Sequence, residues 1–155
     1  MTENRIVSAE KNIRAAASDI FKILADPAQH SRIDGNGNVD HADQGQRITA
    51  SGQVFTARLT NGDSRENLVT EFDEGRVLAW KPAVPGSEPR GHFFRWELER
   101  IDDDTTLVRH TYDWTQLTDE TRFERARSYT SAALATSIDG LAALAEDDGA
   151  GSEEG

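Results

Sequence analysis

Apolar and polar positions alternate most regularly between Gly91 and Trp114. His92, Phe94, Trp96 and Leu98 occupy every second position of one run, and Val108, His110, Tyr112 and Trp114 every second position of the next. Side chains on a strand point alternately to its two faces, so each set shares a face. An acidic turn around Asp103 joins the runs into an antiparallel hairpin. That centre pairs Leu98 with Val108, Trp96 with His110, Phe94 with Tyr112 and His92 with Trp114. The other face carries Arg95, Glu97, Glu99, Arg109 and Asp113, which suits water, with Phe93 as an exception. The aromatic face is either plain core or the wall of a ligand cavity.

Earlier segments are less regular. Ile6, Val7 and Ile13 predict a first strand within 4–13. Ile20, Phe21, Ile23 and Leu24 recur at helical spacing behind Ser18, whose hydroxyl suits an N-cap. Asp26-Pro27 ends that helix, because the residue before proline avoids the helical region, and Pro27 opens a second short one to about Ile33. After a turn cluster at 34–38, strands are predicted at 39–42, 45–50, 52–59, 66–72 and 76–81. Which of Leu68, Val69, Val77 and Leu78 look inward is open, since one bulge exchanges the faces. Residues 82–89 hold three of the four prolines and read as a loop at a cavity mouth or sheet edge. Thr118 or Asp119 caps a long helix predicted to run to Ala145. Its stripe is Phe123, Arg127, Thr130, Leu134, Ser137, Ile138, Leu141 and Ala145. Arg127 and Thr130 make the first half polar, as expected of a helix that borders a cavity there.

This order resembles the START-like, or birch-pollen-allergen-like, helix-grip superfamily. Ala16-Ala17-Ser18-Asp19-Ile20-Phe21-Lys22-Ile23-Leu24-Ala25-Asp26-Pro27 is similar to its polyketide cyclase/dehydrase and lipid transport (SRPBCC) branch. So are residues 67–80 and Phe94-Arg95-Trp96-Glu97-Leu98-Glu99 with Thr106-Leu107-Val108. The resemblance spans about residues 5–145. It implies an α+β helix-grip fold, with a curved antiparallel sheet of about six or seven strands wrapped around the long C-terminal helix and a cavity between them. One START-like domain over 1–145 is expected, with 146–155 an acidic disordered tail. The superfamily has no shared catalytic motif, so the fold does not supply chemistry.

Composition narrows the classes. At 155 residues the chain is long enough for one domain with a sizeable core, yet its apolar share of 36% is low and suits a thin shell. The formal net charge is −11, with five acidic residues in 146–155. Such a surface repels phosphate backbones and anionic bilayers, so neither nucleic acid binding nor membrane insertion is expected. The absence of cysteine excludes disulfides, thiolate zinc sites and a cysteine nucleophile, and fits a cytoplasmic protein. No long apolar run follows Met1-Thr2-Glu3-Asn4-Arg5, so no signal peptide is expected.

His30, His41, His92 and His110 stand in no metal-ligand spacing, and neither metal nor cofactor is expected. His92 and His110 share a face about 7 Å or more apart by strand rise, long for one ion. His110, opposite Trp96, is the better candidate for acid/base chemistry or a ligand hydrogen bond; otherwise it is a core histidine bonded to Tyr112, backbone or water. Arg127 can meet a ligand carboxylate or pair with Asp119, Glu120 or Glu124. For Asp34 and Glu71 the default readings are a turn cap and a solvated strand face, with acids near the cavity as the alternative.

The leading reading is a binding module for a small hydrophobic, aromatic-containing molecule held between sheet and C-terminal helix. Trp80, His92, Phe94, Trp96, His110, Tyr112 and Trp114 would line the cavity, with Phe55, Phe123 and Arg127 as outer candidates. The rival is a cofactor-free enzyme that cyclises, dehydrates or isomerises a polyketide-like substrate, with His110 or His92 as base and Tyr112 as donor. A third reading is a protein-interaction module using the outer face. A monomer or weak homodimer is expected. Either ligand reading is supported by a cavity of at least roughly a few hundred Å³, whereas a solid interior would remove both and favour the interaction module.

Overall fold

The computed structural model describes residues 4–154, with side chains through Glu146. The expected disordered tail, 146–155, lies outside the described side chains except at Glu146, whose carboxylate accepts the Arg14 N–H at 3.1 Å.

Seven strands form one antiparallel sheet: β1 (Ile6–Ile13), β2 (Val39–His41), β3 (Val54–Leu59), β4 (Ser64–Asp73), β5 (Val77–Ala83), β6 (Phe93–Asp102) and β7 (Thr105–Asp113). Their order is β1-β7-β6-β5-β4-β3-β2, so neighbours are hairpin partners except where the first strand closes onto the last. After β1 come α1 (Ala17–Leu24), a 3-10 turn (Pro27–Gln29) and α2 (His30–Ile33). After β7 come a 3-10 turn (Glu120–Arg122), α3 (Phe123–Arg127) and α4 (Ser131–Glu154). The sheet curls around α4, and the fold is α+β helix-grip, as the pattern implied.

The central hairpin has the predicted register, with Leu98 opposite Val108, Trp96 opposite His110 and Phe94 opposite Tyr112. Four expectations change. Residues 45–50 form no strand. Instead the Gln46 side chain accepts the Thr56 N–H at 2.7 Å and donates to the Thr56 carbonyl at 3.0 Å, acting as a one-residue ladder for β3. Ala16, not Ser18, occupies the N-cap of α1, with no side-chain cap bond. Pro82 lies inside β5, opposite Asn67, beyond the point where pairing with β6 ends at Trp80 and Phe94. On that unpaired edge its missing N–H costs nothing.

The fourth change is the largest. The single helix expected from Thr118 to Ala145 is broken at 128–130. Asp119 caps the 3-10 turn, accepting the Thr121 N–H at 3.1 Å. The chain leaves α3 through tight bonds from Ser128 N–H to the Arg125 carbonyl (3.1 Å) and Tyr129 N–H to the Ala126 carbonyl (3.2 Å). Thr130 then restarts the helix as N-cap of α4, its hydroxyl accepting the Ala133 N–H at 3.1 Å. Restarting resets the helical phase, so α3 presents a different face inward from the one its continuation predicts.

Register also shifts once in β4, between Val69 and Glu71. Asn67 and Val69 are buried before the shift, Thr70 and Glu71 both face water, and Phe72 turns back toward the core. The bulge thus puts odd positions inward before it and an even one after, with Leu78 fully buried opposite Phe72.

The core lies between the sheet and α1, α2 and α4, around Ile13, Ile20, Phe21, Leu24, Leu78, Ile138 and Leu141. Each such side chain contributes about 1.5–3 kcal/mol on burial. The crossing of α4 over α2 and its exit turn is close, with a glycine on each side, and at Gly35 it leaves no room for a Cβ. A Cβ at Gly35 would sit 2.4 Å from the Ala133 carbonyl oxygen, and one at Gly140 3.0 Å from that of Arg32.

Candidate functional site

Between the middle of the sheet and the α2, α3 and α4 side lies a cavity of about 130 Å³. That is smaller than the few hundred Å³ expected, because Ile138 and Leu141 of α4 fill the far end of the sheet–helix space. Aromatic rings build its inner part. Trp96 and His110 stack at 3.7 Å between centroids and 11° between planes. Trp80 stacks on His30 at 5.1 Å, and Phe55 meets both rings edge-on. Phe94 bridges the two groups, 6.0 Å from Trp80 and 6.2 Å from His110.

Toward the mouth the lining turns polar. Tyr112 and Tyr129 lie 4.4 Å apart, and Tyr129 also meets Phe94 edge-on at 5.2 Å. The Tyr129 hydroxyl accepts a hydrogen bond from Asn38 Nδ2 at 2.9 Å. His92, 6.1 Å from Tyr112, completes this side with Arg65 of β4, Arg122 and Arg125. Asp34 also borders the cavity, but its carboxylate accepts the N–H groups of Asn36, Asn38 and Val39 at 3.1, 2.7 and 2.9 Å. It shapes the loop into β2 and is a turn cap. Glu71 lies on the outer face, 2.7 Å from Arg95.

The three inner histidines are neutral at pH 7. Burial pushes His110 down to about 3, with the Leu134 backbone favouring the charged form and nearby His30 opposing it. His110 is only 5% exposed; the Leu134 backbone is its polar neighbour, and neither ring nitrogen makes a well-formed hydrogen bond. Burial, then Arg122, Arg65 and Arg125, lowers His92 to about 4, and its Nδ1 is also buried without a partner. Burial lowers His30 too, although Nε2 donates to the Leu24 carbonyl at 2.7 Å. Burial and Tyr129 raise Tyr112, so its hydroxyl stays protonated and can donate.

Of the sequence candidates, Phe55, Trp80, His92, Phe94, Trp96, His110 and Tyr112 meet around this cavity. Trp114, Phe123 and Arg127 do not line it. Trp114 is the first residue past β7, and its ring packs at 5.3 Å against Phe123, with the guanidinium of Arg5 4.6 Å from its centroid and that of Arg127 5.8 Å away. The helix break explains the exchange: across the 3-10 turn, α3 and the break after it, the inward stripe is Arg122, Arg125, Ala126 and Tyr129. That spacing of three, four and seven is present in the sequence one step from the stripe chosen. Arg65 and Asn67 became visible only with the β4 bulge, and His30 only with α2 folded under the sheet. Among the described residues no group of His, Asp or Glu could hold a metal ion, and no helix is long and apolar enough to cross a membrane.

No protein-family model matches the chain. An uncharacterised protein of Mycobacterium tuberculosis is 31% identical over 110 residues, which are 70% of this chain and 47% of that protein. The chain therefore spans about half the length of the curated relatives it matches. Among solved structures, norcoclaurine synthase of Thalictrum flavum superposes with a TM-score of 0.62 at 13% identity, covering 96% of this chain and 98% of the enzyme. The Zhui aromatase/cyclase of Streptomyces sp. R1128 gives 0.63 at 16%, covering 92% and 93%. At these identities the likeness is one of fold.

Proposed function

Because the chain has the helix-grip fold of the START-like superfamily, SRPBCC branch included, we propose that it binds a small, largely apolar, aromatic-containing molecule in the cavity beneath the β6–β7 hairpin. The observation that carries this reading is His110. A 95% buried imidazole stacked on Trp96, with only the Leu134 backbone near it and neither nitrogen in a well-formed hydrogen bond, leaves a polar edge that an occupant of the cavity can satisfy. A ligand hydroxyl or carbonyl against that edge supplies the partner. Ring stacking on Trp96, Phe94 and Trp80 supplies the affinity. The volume sets the size, since about 150 Å³ of apolar cavity takes a benzene ring.

Acid/base catalysis on a polyketide-like substrate is the second reading, and the same groups weigh against it. A base with a pKa of about 3 or 4 is a poor proton acceptor at neutral pH. No second polar group sits within hydrogen-bonding reach of His110 to relay the proton. The interaction-module reading has less support than either, because the interior holds a cavity.

Native mass spectrometry of the protein purified from its host tests the proposal. A retained adduct of roughly one-ring size, lost on denaturation, is the expected result. Repeated bare spectra, together with no binding from a panel of single-ring aromatics, would remove the binding function.

A further inference from the structure

The mouth of the cavity has a sign. Three guanidinium groups line it, from Arg65, Arg122 and Arg125, against the single lining carboxylate of Asp34. Asp34 already accepts three backbone N–H groups. Arg122 reaches Asp119 at 3.4 Å, but that carboxylate is shared with Arg90 at 2.9 Å. Arg65 donates to the Ser64 carbonyl at 2.8 Å, and Arg125 bonds the Tyr129 hydroxyl, so neither is neutralised by its own partner. Asp63 is the acid that acts on Arg65. The three cations come from β4 and from both sides of the 3-10/α3 junction, and Arg65 is destabilised by the other two. A chain of net charge −11 has abundant acid with which to neutralise such a cluster. Here the surplus faces inward, beside the unpartnered Nδ1 of His92. Converging guanidinium forks in a partly desolvated cleft match a planar carboxylate better than any neutral group.

Resting on the ligand-binding reading above, we propose that the occupant is a single-ring aromatic carboxylate, its ring against Trp96 and Phe94 and its carboxylate at the mouth among Arg65, Arg122 and Arg125. His92 donates to the same oxygens, and the His110 edge receives a ring substituent such as a hydroxyl. The anionic end provides the orientation that an all-aromatic slot lacks, and loss of the charge removes it.

The test titrates the full chain with benzoate and phenylacetate and with their neutral amides, benzamide and phenylacetamide. Binding is read by the fluorescence of Trp80 and Trp96 and by histidine resonances. At low salt, each acid is expected to bind at least about tenfold tighter than its amide, the scale of a charge-assisted pair. That ratio falls toward one in Arg65→Gln and in the Arg122→Gln/Arg125→Gln pair. It is unchanged in Arg109→Gln, whose guanidinium lies on the outer face against Glu10. Bound benzoate also raises the His92 pKa from its value of about 4, and benzamide does not. Equal affinity for acid and amide in the unmodified protein overturns the anionic subsite and leaves the ring cavity standing. Failure of all four probes overturns both.

Discussion

At His110, burial against Trp96 keeps the imidazole neutral down to about pH 3, whereas the unfolded chain takes up that proton near 6.5. Between those values the unfolded state holds more protons, so stability is lost as pH falls from 6.5 toward 3. Between pH 7 and pH 5 the loss from this one group is about 2 kcal/mol. His110→Phe is expected to reduce the pH dependence of the denaturation free energy over that range, leaving the share carried by His92 and His30, whose pKa values burial also lowers; an unaltered slope would show that those groups alone are responsible. Trp96 is 3% exposed and belongs to the core as well as to the cavity wall. Its truncation to Ala costs about 3–5 kcal/mol and confounds binding with folding. Trp80 is only half-buried, so Trp80→Leu is the cleaner probe: it should weaken an aromatic ligand while the urea midpoint moves little. Asp34 was ambiguous in the sequence because the same carboxylate suits a cavity acid and a turn cap. Its three backbone N–H partners decide for the cap, and Asp34→Ala should cost about 1.5–3 kcal/mol in thermal or chemical unfolding.

Among the elements, the β6–β7 hairpin was legible in register from Phe93 to Arg100, because period-two alternation and a turn centre fix register together; the shift between Arg100 and Asp102 beside the turn was not, and the expected His92–Trp114 pair lies beyond the ladder. The C-terminal helix was legible in its second half, where Leu134, Ile138 and Leu141 are core. Its first half was not, because Thr130 reads equally well as a helix interior residue and as an N-cap, and the segment 128–130 is held by tertiary contacts, Tyr129 with Asn38 and Ser128 with Asn36, that the local pattern does not show. That choice removed Arg127 from the cavity and brought Arg122 and Arg125 to it. The α2–α4 crossing yields a test of packing against propensity. Gly35→Ala drives a Cβ to 2.4 Å from a helix carbonyl and is expected to destabilise by about 1–3 kcal/mol. Gly140→Ala gains roughly 1 kcal/mol of helix propensity against a 3.0 Å contact, so its measured unfolding free energy should change much less. Equal effects would mean that α4 shifts freely over α2.

Across the whole molecule, fold and site were unequally readable. Strand alternation, the two short helices and the long helix are local signals, and they carried the architecture. The site is assembled from β2–β7, α1, α2, α4, the 3-10/α3 junction and the loop after α2, and its polar half depends on two local irregularities, the helix break and the β4 bulge. The bulge carries a consequence for how such a site can diverge. Thr70 and Glu71 together face the single residue Ala79, so removal of Thr70 restores an unbroken ladder. Asn67, Val69 and Phe72 keep their inward orientation while the strand loses its bend. Deletion of Thr70 is therefore expected to alter the curvature of the wall without exchanging any residue on it. The shape of the cavity can then change through a gap in the gene while the side chains that line it stay the same.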